Sequence, residues 1–160
     1  MREERMTVKV LQGVSGSGKT SHWQRHLNWN ESSLIHVFSS DHHFTTPKGY
    51  IFVPTQLNEA HAECLRKFAE CIRTAAKNAL LIVDNTNTTV HEIAPYYCLA
   101  EAYGHDVEIL TIEYHWPTAA ARNKHSVPAE SVEKQYRRLK NSHQVMPKYW
   151  RRTDIIGKDS

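Results

Sequence analysis

The stretch "GVSGSGKT", residues 13–20, follows the apolar run "TVKVLQ" at residues 7–12 and precedes "SHWQRHLNW", which can form a helix. A strand, a loop of the form G-x-x-x-x-G-K-[S/T] and a helix, in this order, make a loop that binds the phosphates of a nucleotide. Its glycines let backbone N–H groups face phosphate oxygens, its lysine reaches the β- and γ-phosphates, and its threonine hydroxyl binds Mg²⁺. The sequence therefore predicts a site for a nucleoside triphosphate, ATP in the simplest case, with Mg²⁺. The predicted nucleotide-binding residues are Gly13, Val14, Ser15, Gly16, Ser17, Gly18, Lys19 and Thr20.

Apolar runs of strand length alternate along the chain with amphipathic segments of helical length. This alternation is typical of an α/β fold in which helices flank a parallel central sheet. With 160 residues, of which 40% are hydrophobic, the chain can form a single domain over residues 1–160. Strands are predicted at residues 7–12, 34–38, 79–84 and 106–114, and helices at about 60–75, 91–103 and 128–140.

The charge of the chain is unevenly distributed. The net charge is +3, but residues 117–160 contain ten Lys and Arg against four Asp and Glu. An excess of cations favours a polyanionic partner such as nucleic acid, and a solvated helix face would have the same composition. Both interpretations stay open at this point.

No apolar run is long enough to span a membrane, and the N-terminal "MREERMTVKV" is charged where a secretion signal would be apolar. We therefore expect a cytoplasmic protein with no membrane partner. Nothing in the sequence indicates an obligate protein partner.

Carboxylates follow two of the predicted strands. Asp41, in "FSSDHHF", is expected at the carboxyl edge of the sheet beside the phosphate loop. There it could accept the proton of an attacking hydroxyl, or it could cap a helix. Asp84 ends the apolar run of "LLIVDNTN", which is the position of a carboxylate on the metal side of a phosphate site, although a turn after a strand also favours Asp and Asn. With Thr20, Asp84 is the predicted Mg²⁺ ligand pair.

A basic segment, "RNKHSVP", follows a short helical run at residues 117–121. Arg122 and Lys124 could form a mobile basic lid that closes on the triphosphate, or they could be surface cations. The segment "NKHS" at residues 123–126 lacks the aspartate of the base-reading NKxD motif, which argues against a GTPase.

Four segments together, "GVSGSGKT", "SSDHHF" with the later "Y.F....L.EAH", "IVDNTN" and "RNKHSVP", resemble the P-loop kinase family that includes polynucleotide 5′-hydroxyl kinases and related AAA and zeta-toxin-like ATP-binding domains. The resemblance covers residues 7–142 and implies a P-loop NTPase fold of the nucleoside- or polynucleotide-kinase type. It implies Asp41 as the general base and Arg122 as the lid arginine, which with Lys19 complete the catalytic set. It also implies an acceptor cleft lined by Asp84, Asn85, Thr86 and Asn87. It places His61 near this cleft, although His61 could also be a residue of the helix surface. We add Lys124, from the basic segment, to the predicted acceptor-binding residues.

Two positions depart from the family pattern. Phe44 stands three residues after Asp41, where a polynucleotide kinase of the family has an arginine for an acceptor phosphate, and "KHS" stands where the lid of that kinase has a second arginine. Tyr50 and Phe52, in a segment at residues 45–56 that is predicted to be a loop, could stack on a nucleobase or pack on the core.

The expected activity is transfer of the γ-phosphate of ATP to a hydroxyl, with the 5′-OH end of DNA or RNA as the preferred acceptor. A kinase of a small metabolite or nucleoside would use the same base. An ATP-dependent nucleic-acid-binding module without transfer activity is the alternative outside enzymes.

Overall fold

The computed structural model describes residues 5–27 and 34–157, and its strands form one five-stranded parallel sheet and a small hairpin. The strands are β1 Thr7–Gln12, β2 Ile35–Phe38, β3 Thr45–Thr46, β4 Gly49–Tyr50, β5 Leu80–Asp84, β6 Asp106–Glu113 and β7 Arg152–Ile156. The α-helices are α1 Lys19–His22, α2 Leu57–Thr74, α3 Val90–Ala102, α4 Trp116–Arg122 and α5 Ala129–Val145. A π-helical turn, Trp23–Leu27, continues α1, and 3-10 helices lie at Ser40–Phe44 and Pro54–Gln56.

The sheet order is β2-β5-β1-β6-β7, with every neighbouring pair parallel. This confirms the predicted α/β class and the parallel central sheet. The strands are buried from both faces, as expected for such a sheet. On one face Val10, Leu81 and Phe68 belong to a cluster with α2 and α3, while Leu11 and Ile82 pack with Trp23 on the other.

Several boundaries differ from the predictions. β7 was missed because the strand "RTDII" lies at the sheet edge with mostly exposed side chains, so it lacks a long apolar run. Residues 45–50, predicted as loop, contain the β3–β4 hairpin, and the helix predicted at 128–140 continues to Val145. The predicted helix after residue 20 becomes a π-helical turn at Trp23, and its last two residues, 28–29, lie outside the described residues.

Parallel strands bring the segments that follow β1, β2 and β5 to one edge of the sheet, which we call the carboxyl edge. The sequence placed Asp41 beside the phosphate loop, but β5 lies between β1 and β2. Asp84 is therefore the carboxylate next to the loop, and Asp41 lies one strand farther away.

No helix within residues 5–27 and 34–157 is long and apolar enough to cross a membrane.

A buried polar side chain joins the elements at the carboxyl edge. Gln12, which is 0% exposed, donates to the Asn87 carbonyl and the Ser142 hydroxyl, each at 3.0 Å. Its Oε1 accepts from Thr111 Oγ1 at 2.8 Å and lies 2.8 Å from His143 Nε2. The end of β1 is thereby tied to the segment after β5, to β6 and to α5.

We predict that Gln12→Met lowers the free energy of unfolding by about 2–4 kcal/mol, because it leaves several buried polar groups without partners. Urea denaturation measures the loss. Gln144→Met, at an exposed position of α5, is the matched control and should change stability by less than about 0.5 kcal/mol. Equal stability of the two variants would contradict the role assigned to Gln12.

Candidate active site

The phosphate loop is fixed on both sides by the backbone. The Gly13 N–H donates to the Thr86 carbonyl at 3.0 Å, which joins the loop to the segment after β5. Gly16 and Gly18 have φ of +83° and +94°, values that favour glycine. A Cβ on Gly16 would lie 2.2 Å from the carbonyl oxygen of Ala119, so α4 packs directly on the loop backbone.

Lys19 reaches back across this loop. Its Nζ donates to the carbonyls of Gly13 and Val14, each at 3.0 Å. Burial lowers the pKa of Lys19, and the negative charges of Asp84 and Asp41 oppose that shift. Both carboxylates are thus close enough to act on the lysine electrostatically.

The hydroxyl of Ser17, in the middle of the phosphate loop, is buried. Within the described ranges, the Ser17 Oγ is buried without a hydrogen-bond partner. Buried hydroxyls are usually hydrogen-bonded, so this unpartnered group is an exception inside the loop, where it lies 2.6 Å from the position that a Cβ on Gly13 would take.

Thr20 and Asp84 meet at the mouth of the loop. The Thr20 hydroxyl donates to Asp84 Oδ2 at 2.7 Å, and the Trp23 indole N–H donates to the same oxygen at 3.0 Å. A hydroxyl and a carboxylate oxygen are hard ligands of the kind that Mg²⁺ prefers. These two side chains fit the metal expected beside a bound triphosphate.

The side chains of the segment Asp84–Asn87 alternate between half-buried and buried positions. Asn85 and Asn87 are buried: Asn85 Oδ1 accepts from the Ser40 N–H at 2.8 Å, and Asn87 Nδ2 donates to the Leu11 carbonyl at 2.7 Å. These asparagines join the ends of β1, β2 and β5. Asp84 and Thr86 are half-buried, in contrast to the two asparagines.

Asp41 lies in the 3-10 helix after β2, whose cap is Ser39: its Oγ accepts from the Asp41 N–H at 3.2 Å. The helix-cap alternative for the Asp41 carboxylate is therefore wrong. Asp41 Oδ1 accepts from the Tyr50 hydroxyl at 3.1 Å, and Oδ2 lies 3.5 Å from His125 Nε2. Burial, with a further contribution from Asp41, raises the pKa of Tyr50 to about 12, so the phenol keeps its proton.

Arg122 is packed against the phosphate loop at the end of α4. Its Nε donates to the Gly16 carbonyl at 2.7 Å, and its guanidinium carbon lies 3.9 Å from the centre of the Tyr114 ring. Asn123 braces the following loop, because its side chain donates to the carbonyls of Ala120 and Val127. The predicted basic lid is a short loop held by these bonds, with Lys124 exposed on it.

The remaining predicted positions lie farther from these contacts. His61 is exposed on α2, and none of the site contacts in the described part of the chain includes it. Phe44 is buried and packs edge-on against Tyr50 and Phe52, so the departure from the family pattern is a core residue of the hairpin. Tyr50 faces Asp41, whereas Phe52 is 49% exposed.

Several cations of the basic C-terminal segment are paired with carboxylates. Lys134 lies 3.7 Å from Glu130, and Arg137 lies 2.7 Å from Glu133. A second group of cations, Lys148, Arg151 and Arg152 in "KYWRR", lies before and at the start of β7, at the end of that strand away from the carboxyl edge. The charge excess is thus spread over helix surface and a distant cluster.

Sequence reasoning did not predict three contacts of the carboxylates: Tyr50, considered for base stacking or core packing, and His125 with Asp41, and Trp23 with Asp84. Their contacts bridge segments far apart in the chain, which spacing alone does not reveal. The sequence offered one signal, which is closeness along the chain to a predicted site segment: His125 lies in "RNKHSVP", and Trp23 comes three residues after Thr20 of the phosphate loop.

Comparison with known proteins places this site in a family. A family model described as an AAA domain matches residues 8–146. Human NEDD4-binding protein 2 is 29% identical over 131 residues, which make up 79% of this chain and 7% of that protein. This chain therefore spans a small part of that relative.

Two solved structures share the fold. A chain of the Pnkp1/Rnl/Hen1 RNA repair complex matches with a TM-score of 0.70 at 13% identity, over 91% of this chain and 48% of that one. A gluconokinase from Sinorhizobium meliloti 1021 matches with a TM-score of 0.61 at 14% identity, over 99% of this chain and 86% of that one. At such identities these matches establish the fold of P-loop kinases and leave the substrate open.

We predict that Gly16→Ala weakens ATP binding at least about tenfold, because the added Cβ would clash with the Ala119 carbonyl and the residue would be strained at positive φ. Isothermal titration calorimetry measures the change. Gly104→Ala is the control, since Gly104 also has positive φ but a Cβ there meets nothing within 4 Å. Unchanged ATP affinity in Gly16→Ala would refute the close packing of α4 on the loop.

Proposed function

The chain belongs to the AAA domain family and has the P-loop kinase fold, and from this we propose that it transfers the γ-phosphate of ATP to a hydroxyl group. The preferred acceptor is the 5′-OH end of DNA or RNA. We further propose that residues 1–160 act as one kinase domain, in the cytoplasm.

The observation that carries the proposal is the division between two carboxylates. Asp84 and Asp41 both act on Lys19, yet they have different partners. Asp84 contacts the Thr20 hydroxyl, as a metal-side group does, while Asp41 contacts Tyr50 and His125. A purely nucleotide-binding module needs only the first carboxylate, so the second supports transfer to an acceptor.

In the proposed mechanism, the loop amides and Lys19 hold the β- and γ-phosphates. Lys19 would exchange its hydrogen bonds to the carbonyls of Gly13 and Val14 for bonds to these phosphates. Thr20 and Asp84 would hold Mg²⁺, which when bound neutralises charge on the phosphates. Arg122, next to Gly16, would contact charge that develops on the transferred group. Asp41 accepts the proton of the acceptor hydroxyl while the hydroxyl oxygen forms a bond to the γ-phosphorus. The bond between the γ-phosphorus and the oxygen that bridges it to the β-phosphate breaks, and ADP leaves.

The acceptor preference rests on two observations. One structural match is to a chain of an RNA repair complex, and residues 117–160 carry an excess of cations. A small metabolite or nucleoside is the second candidate, favoured by Phe44: this buried apolar side chain stands where a polynucleotide kinase has its acceptor-phosphate arginine. The structural match to a gluconokinase is consistent with this candidate.

Incubation with γ-labelled ATP, Mg²⁺ and either 5′-OH oligonucleotides of DNA and RNA or a panel of nucleosides and sugars tests the proposal. Label on oligonucleotide ends supports the preferred acceptor, and label on a small molecule supports the second candidate. ATP binding without label transfer to any acceptor would favour the non-catalytic module and refute the proposal.

For the base, we predict that Asp41→Asn lowers transfer by roughly 10² to 10⁴-fold with nearly unchanged ATP affinity, the usual contribution of general-base catalysis. Turnover and calorimetric ATP titration measure the two quantities. Asp106→Asn, exposed at the opposite edge of the sheet, is the control and should behave like the wild type. Full activity of Asp41→Asn would mean that another group takes the proton.

For the metal side, we predict that Asp84→Asn raises the Mg²⁺ concentration needed for half-maximal transfer, because one hard oxygen ligand is lost. Added Mg²⁺ should restore part of the activity. The same titration of Asp41→Asn should show no rescue. Rescue of Asp41→Asn and not of Asp84→Asn would reverse the two assignments.

For a polymeric acceptor, we predict that KM for an oligonucleotide rises with salt, with a log–log slope of about 0.7 for each phosphate contacted on a single strand. Arg138→Ala should reduce that slope more than Arg137→Ala, because Arg137 is paired with Glu133. A flat salt profile would support the solvated-face interpretation of the basic segment.

A further inference from the structure

The Asp41 carboxylate is contacted at both oxygens by side chains from separate parts of the chain. Tyr50 Oη donates to Oδ1 at 3.1 Å, and His125 Nε2 lies 3.5 Å from Oδ2. The rings of Tyr50 and His125 also face each other, with centroids 4.0 Å apart and planes inclined by 31°. The three side chains therefore form one connected group, which we call the Asp41 clamp.

Tyr50 is held in this group by the hairpin after the 3-10 helix. The Phe44 ring, which is 2% exposed, packs edge-on against Tyr50, and the Ile51 N–H donates to the Phe44 carbonyl at 2.9 Å. Thr45 Oγ1 donates to the Asp41 carbonyl at 3.0 Å. The phenol hydroxyl thus has a fixed position relative to the backbone that bears Asp41.

His125 comes from the nucleotide side of the site. Three residues before it, Arg122 contacts the Gly16 carbonyl of the phosphate loop at 2.7 Å. Between Arg122 and Val127 the loop is closed by Asn123, whose Oδ1 accepts from the Val127 N–H at 2.7 Å. The segment 122–127 therefore links the phosphate loop to the carboxylate that lies beyond β5.

We propose that Tyr50 and His125 are positioning residues for phosphate transfer: together they aim the Asp41 carboxylate at the acceptor hydroxyl and hold it at a set place relative to the phosphate loop. This inference rests on the proposed function. Tyr50 holds Oδ1 by a hydrogen bond, and the acceptor hydroxyl would meet Oδ2, whose contact with His125 Nε2 is the longer of the two at 3.5 Å. His125 closes the far side of the tyrosine ring and faces the same Oδ2.

A positioning role of Tyr50 and His125 and a purely structural role of the hairpin predict different effects of mutation. Loss of either contact to the base, the Tyr50 hydrogen bond or the His125 ion pair, should lower kcat and leave KM for ATP almost unchanged, because the phosphate loop is untouched. Loss of hairpin stability would instead lower the melting temperature and leave the rate of the folded protein unchanged. The experiment therefore measures kcat, KM for ATP and thermal unfolding for each variant.

We expect Tyr50→Phe, which keeps the ring and removes only the hydroxyl, to lower kcat about tenfold with KM for ATP within about twofold of the wild type. His125→Leu should lower kcat by a similar factor, and His125→Gln, which retains a side-chain N–H donor, should recover part of the loss. The double variant Tyr50→Phe with His125→Leu should lose less than the product of the single losses, because both act through Asp41.

Two variants outside the clamp serve as controls. Tyr103→Phe and His105→Gln change the same residue types after α3, at the edge of the sheet opposite the site. Both should retain the wild-type kcat. The contact itself is measured without any turnover: in ¹³C-histidine-labelled protein, Tyr50→Leu should shift the ring signals of His125 by removing the neighbouring aromatic ring.

Different results separate this proposal from the proposed function. If the wild type transfers phosphate and Tyr50→Phe and His125→Leu match its kcat, the positioning role is wrong and the kinase activity stands. Multiplicative losses in the double variant would also overturn a shared action through Asp41. If the wild type transfers phosphate to no acceptor, the proposed function fails and the positioning role fails with it, whatever the His125 signals show.

Discussion

Hydrogen bonds between the end of β1 and the segment after β5 position the rest of the site. The Gly13 N–H binds the Thr86 carbonyl, and the Asn87 amide binds the Leu11 carbonyl. Because these bonds join two neighbouring parallel strands where both end, the phosphate loop and Asp84 cannot move independently. The contact of Thr20 with Asp84 follows directly from this arrangement.

The same connection separates the two carboxylates by one strand. β5 lies between β1 and β2, so Asp84 is next to the loop and Asp41 is across the strand end. Asn85 joins the end of β5 to the segment that carries Asp41. Its Oδ1 accepts hydrogen bonds from both the N–H and the hydroxyl of Ser40, the residue before Asp41. Two adjacent residues, Asp84 and Asn85, thus set the metal side and the distance to the base.

Local patterns in the sequence were sufficient for much of the fold. The glycine and lysine spacing of residues 13–20 identified the phosphate loop, and four apolar runs identified four strands of the parallel sheet, because burial from both faces requires continuous apolar sequence. β7 could not be found in the same way, since an edge strand with exposed side chains carries no such run.

Predictions within the site depended on whether a contact is local. Asp84 ends a buried strand, so its place at the carboxyl edge followed from the pattern, whereas the order of the strands did not and Asp41 was placed too near the loop. The partners of Asp41 come from positions 50 and 125, which only the folded chain brings together. Asn85 and Asn87 were predicted to line the acceptor cleft, and both are buried. Their residue type alone does not distinguish a side chain in a cleft from a hydrogen-bonded side chain in the core.

The bond from the Trp23 indole to Asp84 Oδ2 gives this protein an internal optical probe. A cation held by Asp84 and Thr20 would replace their direct hydrogen bond and change the electrostatic surroundings of the indole, and tryptophan emission is sensitive to such changes. The fluorescence of Trp23 should therefore follow occupancy of the metal side in real time, without a label, once the other three tryptophans of the chain are replaced by phenylalanine. Stopped-flow mixing could then separate the arrival of metal and nucleotide from the later chemical step.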